Sequence, residues 1–242
     1  MLPAHREIPY FFVMTSQPIA PSLRTFLFGF GLVSVLSFAA MVSAAEKDDS
    51  PQLDAEGWKP LFDGKSLKGW MITDFAGHAE PKVEDGLIHI PAGLALSGIN
   101  RTNQPPKMNY EITLEAKKVS GNDFFCCLTF PYGDSHCSFV VGGWGGGLVG
   151  ISSVDGMDAS ENDTADYMVF EKDKWYRISV RVTPEKIETW IDKTKMVDLE
   201  TKDRRIGMRF GEIEESVPLG IATWITSSVL RDLRIRTLPA SK

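Results

Sequence analysis

A two-residue alternation of apolar and charged side chains constrains this chain more than any other feature. It runs through Tyr110-Glu111-Ile112-Thr113-Leu114-Glu115-Ala116-Lys117 and again through Tyr176-Arg177-Ile178-Ser179-Val180-Arg181-Val182. Successive side chains of an extended strand point to opposite faces, so each segment has one apolar and one charged face and predicts a half-buried antiparallel strand. Further strands are predicted at 87–90, 124–130, 138–141, 148–153, 186–191, 206–209, 221–225 and 233–238, separated by Gly, Pro and Asp. No amphipathic helix of ten or more residues is legible. Many short strands with frequent turns predict an all-β chain, a two-sheet antiparallel sandwich, and at this length a jelly roll.

The amino-terminal segment bears on compartment. Arg24 precedes an uncharged run over 25–42, which ends in the small-residue sequence Val42-Ser43-Ala44-Ala45. This pattern predicts export to the periplasm or outside the cell, with residues 1–45 a signal peptide. The run is also long enough for an uncleaved anchor, which would be the one contact with a membrane. Residues 46–56 read as a polar linker and 57–242 as a single sandwich domain, long enough to bury a core. A net charge of −6 with scattered cations argues against nucleic acid and suits a neutral ligand.

Leu61-Phe62-Asp63-Gly64-Lys65-Ser66-Leu67-Lys68-Gly69-Trp70 reads physically as a strand, an Asp-Gly turn and a second strand start, a hairpin closing the sandwich. The same decapeptide resembles the opening of the 3-keto-disaccharide hydrolase domain family. Val83-Glu84-Asp85-Gly86-Leu87-Ile88, Tyr110-Glu111-Ile112, Lys174-Trp175-Tyr176-Arg177-Ile178, Ile187-Glu188-Thr189-Trp190-Ile191-Asp192 and Val229-Leu230-Arg231-Asp232-Leu233-Arg234-Ile235 are similar to later strands of that family. The resemblance covers most of residues 57–238. It implies a concanavalin A-like jelly roll, a carbohydrate ligand, and hydrolysis of 3-keto-glycosides by elimination and hydration. The middle of the chain departs from the pattern: the family's usual Arg, Glu and Gln are missing around Gly121-Asn122-Asp123 and His136-Cys137-Ser138. A carbohydrate-binding or interaction sandwich without chemistry is therefore the alternative.

A ketone at C3 acidifies the C2 proton. Elimination then needs a base near C2, stabilisation of the enolate, and an acid for the departing oxygen. His136 titrates in the useful range, and Asp134, two residues earlier on an extended chain, would share its side and orient it. These are the catalytic candidates; the competing reading is a structural histidine at a hairpin end. The run Gly142-Gly143-Trp144-Gly145-Gly146-Gly147 formally contains a dinucleotide-like glycine spacing but is followed by no helix, which excludes that use. Trp144 there is either a platform for a sugar ring or a core tryptophan. Asn122, Asp123 and Trp70 complete the substrate-binding candidates. Asp155, Asp158 and Glu161 lie in an acidic loop that is either solvated surface or a site for a divalent cation such as calcium. Cys126, Cys127 and Cys137 allow either one bridge across a hairpin or three buried thiols.

Overall fold

The computed structural model describes residues 48–240. The leader, the anchor alternative and the export signal lie outside the described residues. The strands, in chain order, are β1 (Lys59–Pro60), β2 (Trp70–Ile72), β3 (Lys82–Glu84), β4 (Leu87–Ile90), β5 (Leu96–Arg101), β6 (Tyr110–Ser120), β7 (Cys126–Tyr132) and β8 (Ser135–Gly143). They continue with β9 (Leu148–Ser152), β10 (Asp166–Tyr167), β11 (Trp175–Val182), β12 (Lys186–Ile191), β13 (Thr194–Glu200), β14 (Gly220–Trp224) and β15 (Ser227–Thr237). Among the described residues the only helix is one 3-10 segment, Glu212–Ser216.

All pairings are antiparallel and build two sheets. The first has the order β13-β12-β11-β6-β15-β4-β3, with β1 added against β15; the second has the order β10-β9-β8-β7-β14-β5-β2. The predicted two-sheet jelly roll is the observed fold. Tyr110, Ile112, Leu114 and Ala116 of β6 and Tyr176, Ile178, Val180 and Val182 of β11 point inward, where they meet Leu128, Phe130, Phe139 and Ile151 of the second sheet. Burying these side chains between the sheets is the main source of stability.

The outward face of the first sheet is charged, as the alternation predicts, but part of it is covered. Glu111 is fully buried, held by Arg181 at 2.6 Å and by Arg236. The chain at 48–51 lies over this region: the Asp49 carboxylate accepts from Trp190 Nε1 at 3.1 Å and pairs with Lys195 at 2.5 Å, while its carbonyl accepts from Arg181. Trp190 is completely buried, with cations of Arg181 and Lys195 4.8 and 5.2 Å from its ring.

Two expectations are corrected and one alternative is resolved. The decapeptide from Leu61 to Trp70 forms its turn, with Asp63 Oδ1 accepting from the amides of Lys65 and Ser66 and Gly64 at positive φ. It is not a hairpin, because β1 pairs with β15 and β2 pairs with β5, so the turn crosses from one sheet to the other. Residues 206–209 form no regular strand: Gly207 exchanges two backbone hydrogen bonds with Ser153, and Ile206 makes a single bridge with Val154. The remaining stretch becomes an arm beside the second sheet. Finally, all three cysteines are free and buried, which settles the thiol alternative in favour of packing.

Candidate active-site groove

Register explains why a groove opens on the outward face of the second sheet. Directly paired residues share a face, so Ser152, Ser138, Thr129, Gly220 and Asn100 form one row across β9, β8, β7, β14 and β5. The next row is Gly150, Val140, Cys127, Ala222 and Gly98. Its small side chains leave a trough. At one edge Phe75 packs over Gly98, and at the other Ala159 and Thr164 cover Gly150. The middle stays open as a groove of about 480 Å³.

One wall of the groove is aromatic. Phe124 and Trp224 approach with ring centroids 6.5 Å apart, and Trp144 stands 44% exposed in the glycine-rich turn between β8 and β9. The glycines have a steric reason to be there. A Cβ on Gly146, which has φ +101°, would sit 2.8 Å from Asn122 Oδ1, so the turn carrying Trp144 rests directly on Asn122. Asp123 fastens the same turn from below, its carboxylate accepting from the amide of Phe124 at 2.8 Å and, more weakly, of Gly145 at 3.5 Å.

The opposite wall is the arm at 204–210 with the 3-10 turn that follows. Arg209 reaches back to Asp158 at 2.7 Å and lies 5.6 Å from the Trp144 ring centre. Asp158 also accepts from the Ser152 hydroxyl at 3.0 Å. Arg204 pins the arm further along, pairing with Asp155 and, through two nitrogens, with Asp163. Glu212 and Ile213 close the wall. The polar groups facing the groove are therefore Arg209, Asp123 and Glu212, with two floor hydroxyls, Ser138 and Ser152.

The sequence candidates separate on this geometry. Trp144 and Asp123 line the groove, and Asn122 supports it without lining it. Trp70 is 6% exposed in the inter-sheet core, its indole donating to the Leu61 carbonyl at 2.7 Å, and so binds no ligand in the groove. His136 lies on the groove face of β8 but one row beyond Ser138, opposite Pro131 and outside the lining. Burial, and then the Lys107 charge, depress its pKa, so it is neutral at neutral pH; its buried Nε2 has no partner. Asp134 has a side chain 96% exposed and pairs with Lys107 at 2.7 Å, which holds its carboxyl below the usual range. The expected His136–Asp134 dyad is thus not formed: residue 134 sits in the tight turn of the β7–β8 hairpin, where strand alternation no longer applies.

The carboxylates of the acidic loop are engaged by protein groups. Asp155 is taken by Arg204 and the Arg205 amide, Asp158 by Arg209, and Glu161 accepts from the Asp158 amide. Among the described residues no three His, Cys, Asp or Glu side chains converge as metal ligands. Asp155, Asp158 and Asp163 are counter-ions that hold the arm. Asn100 and Asn162, each opening a formal glycosylation sequon, are both buried and hydrogen-bonded. Cys127, in the floor, is pushed up to about 12 by burial and stays a thiol.

Sequence reasoning missed Arg209, Glu212 and Trp224. Their signal was compositional at best: Arg209 and Trp224 were read as strand positions, and nothing local announces that an arm folds back across the sheet.

Solved structures share this fold. The Crh5 transglycosylase in complex with NAG aligns with a TM-score of 0.53 at 12% identity, covering 77% of this chain and 86% of that chain. A Bacillus licheniformis beta-glucanase aligns with a TM-score of 0.50 at 8% identity, covering 78% of this chain and all of the other. At such identities these likenesses establish the fold alone. No curated protein matches the sequence. The profile of the 3-keto-alpha-glucoside-1,2-lyase-like domain matches residues 57–236, three quarters of the chain and the whole of the sandwich. The chain therefore belongs to the 3-keto-disaccharide hydrolase, or 3-keto-alpha-glucoside-1,2-lyase-like, domain family.

Proposed function

We propose that this is an exported sugar-active domain that binds a 3-keto-glycoside in the groove and cleaves it by elimination followed by hydration. The observation that carries the reading is the groove itself, where two exposed tryptophans face a guanidinium and two carboxylates over a floor of small side chains. Aromatic faces stack on the apolar faces of sugar rings, and a few convergent polar groups orient the ring. Family membership supplies the keto-sugar; the leader-like sequence at 24–45 supports export.

In this reading the two lining carboxylates, Asp123 and Glu212, carry the protons. One takes the C2 proton; the C1–oxygen bond breaks, and the leaving group departs with a proton from the other. Arg209 donates to the C3 oxygen while it bears enolate charge, its position fixed by Asp158. Water then adds at C1 and a proton returns to C2, giving the free 3-keto-sugar. The purified domain is expected to release 3-keto-glucose from 3-keto-glucosides, with kcat/KM falling on the order of 100-fold in Arg209→Ala, the scale of one lost oxyanion donor. Turnover unaffected by that substitution would remove the groove from the mechanism.

A non-catalytic sugar-binding domain is the second reading, favoured by one observation: among the described residues no histidine lines the groove. Saturable glycan binding without turnover of any keto-sugar would select it.

A further inference from the structure

The groove is much more apolar than two sugar rings require. Its floor and walls are Val140, Cys127, Phe124, Trp224 and Ile213, and its volume suits a ligand of two ring-sized parts. The polar capacity is smaller than the lining suggests. Ser152 gives its hydroxyl to Asp158, and Ser138 shares its own with Thr129 and the Met208 sulfur. What remains for a ligand is the Arg209 donors not given to Asp158, the spare acceptor sites of Asp123 and Glu212, and the lone pairs of the two serines, a set that matches the hydroxyls of one pyranose. A second pyranose over Val140, Cys127 and Ile213 would bury hydroxyls without partners, a cost that outweighs the area gained.

Phe210 points the same way. It is 91% exposed, lines the groove and follows directly on Arg209. The ion pairs of Arg204 with Asp155 and Asp163, and of Arg209 with Asp158, fix the arm that carries it. An apolar ring held beside an apolar trough gains only when something apolar is laid between them.

Resting on the reading of the groove as a glycoside site, we infer that the ligand is a glycoside with an apolar, aromatic aglycone: the sugar lies among Arg209, Asp123 and Glu212, and the aglycone lies on the floor beneath Phe210. The leaving group of the elimination is then a phenol-type alcohol in place of a second sugar.

Calorimetric titration of the wild-type domain with phenyl, methyl and glucosyl glucosides, in both anomers and in their 3-keto forms, tests this. Phenyl glucosides are expected to bind about tenfold or more tightly than methyl or glucosyl ones, the gain of burying one ring. In Phe210→Ser, whose exposed ring contributes nothing to the core, the phenyl-to-methyl ratio is expected to fall about tenfold. Ile213→Ser, in the 3-10 turn of the same wall, should reduce it in parallel. Glucosyl glucosides that bind as tightly as phenyl ones, or a phenyl advantage that survives both substitutions, would overturn the inference and leave the sugar site standing. Absence of binding by every glycoside would overturn the site and the inference together.

Discussion

Asp158 shows how one side chain's meaning depends on what folds back onto it. In the sequence it is one carboxylate among several in an acidic loop; in the structure it receives the Ser152 hydroxyl on one oxygen and the Arg209 guanidinium on the other. A charge-assisted pair of this kind fixes the direction in which the remaining guanidinium donors point. Asp158→Asn keeps the shape and removes the charge. The expected result is a fall in kcat/KM on the order of tenfold, the worth of a charged over a neutral hydrogen bond, with the melting temperature little changed. Equal kinetics in the variant would mean that Arg209 is positioned by something else. Trp70 and Trp144 make the contrast from the other side. Both are tryptophans beside glycine in the second sheet, and only the fold distinguishes a core residue from a groove wall, because nothing in either neighbourhood encodes which face of that sheet it takes.

At the level of elements, the strands that alternate cleanly were the legible ones. β6 and β11 each bury one face and charge the other, so their period appears directly in the sequence. β5, Leu96–Arg101, was missed because it is buried on both faces and contains Gly98, which admits Phe75, so no alternation survives. β13 was missed for its many polar residues, being an edge strand. Residues 206–209 have the composition of a strand, but they serve the groove and a single bridge in place of a ladder.

The segment preceding β1 gives an element-scale prediction. Burial pushes the Asp49 carboxyl up, but hydrogen bonds from Lys195 and Trp190 outweigh it, so its pKa lies below the ordinary value. A depressed folded-state pKa stabilises above the unfolded value near about 3.9, and that stabilisation disappears as pH falls through the folded value. The difference in melting temperature between wild type and Asp49→Ala is therefore expected to be constant from about pH 5 to 8 and to shrink below about pH 4. Its size should be modest, about 1 kcal/mol or less for the ion pair, because the carboxylate is partly open to solvent. A difference that grew on acidification would contradict the assignment.

For the whole molecule, the fold's two outward faces have been put to different uses. The first sheet spends its outer charges on itself, in the buried Glu111–Arg181–Arg236 cluster and under the chain at 48–51. The second sheet leaves the middle of a row of small residues open and sets aromatic and charged side chains around it. The sandwich was legible from periodicity, and the family from its strand motifs, because both are local. The groove was only half legible: Trp144 and Asp123 stand in the unusual glycine-rich and Asn-Asp turns, whereas Arg209, Glu212 and Trp224 arrive there through long-range pairing. In the proposed function this groove, and not the His136 end of the same sheet, receives the glycoside. A crystal structure of the Arg209→Ala domain soaked with a 3-keto-glucoside tests it most directly. The expected density is a sugar ring stacked on Trp144 with its hydroxyls toward Asp123 and Glu212; a sugar bound at His136 and Lys107, with the groove empty, would overturn the assignment.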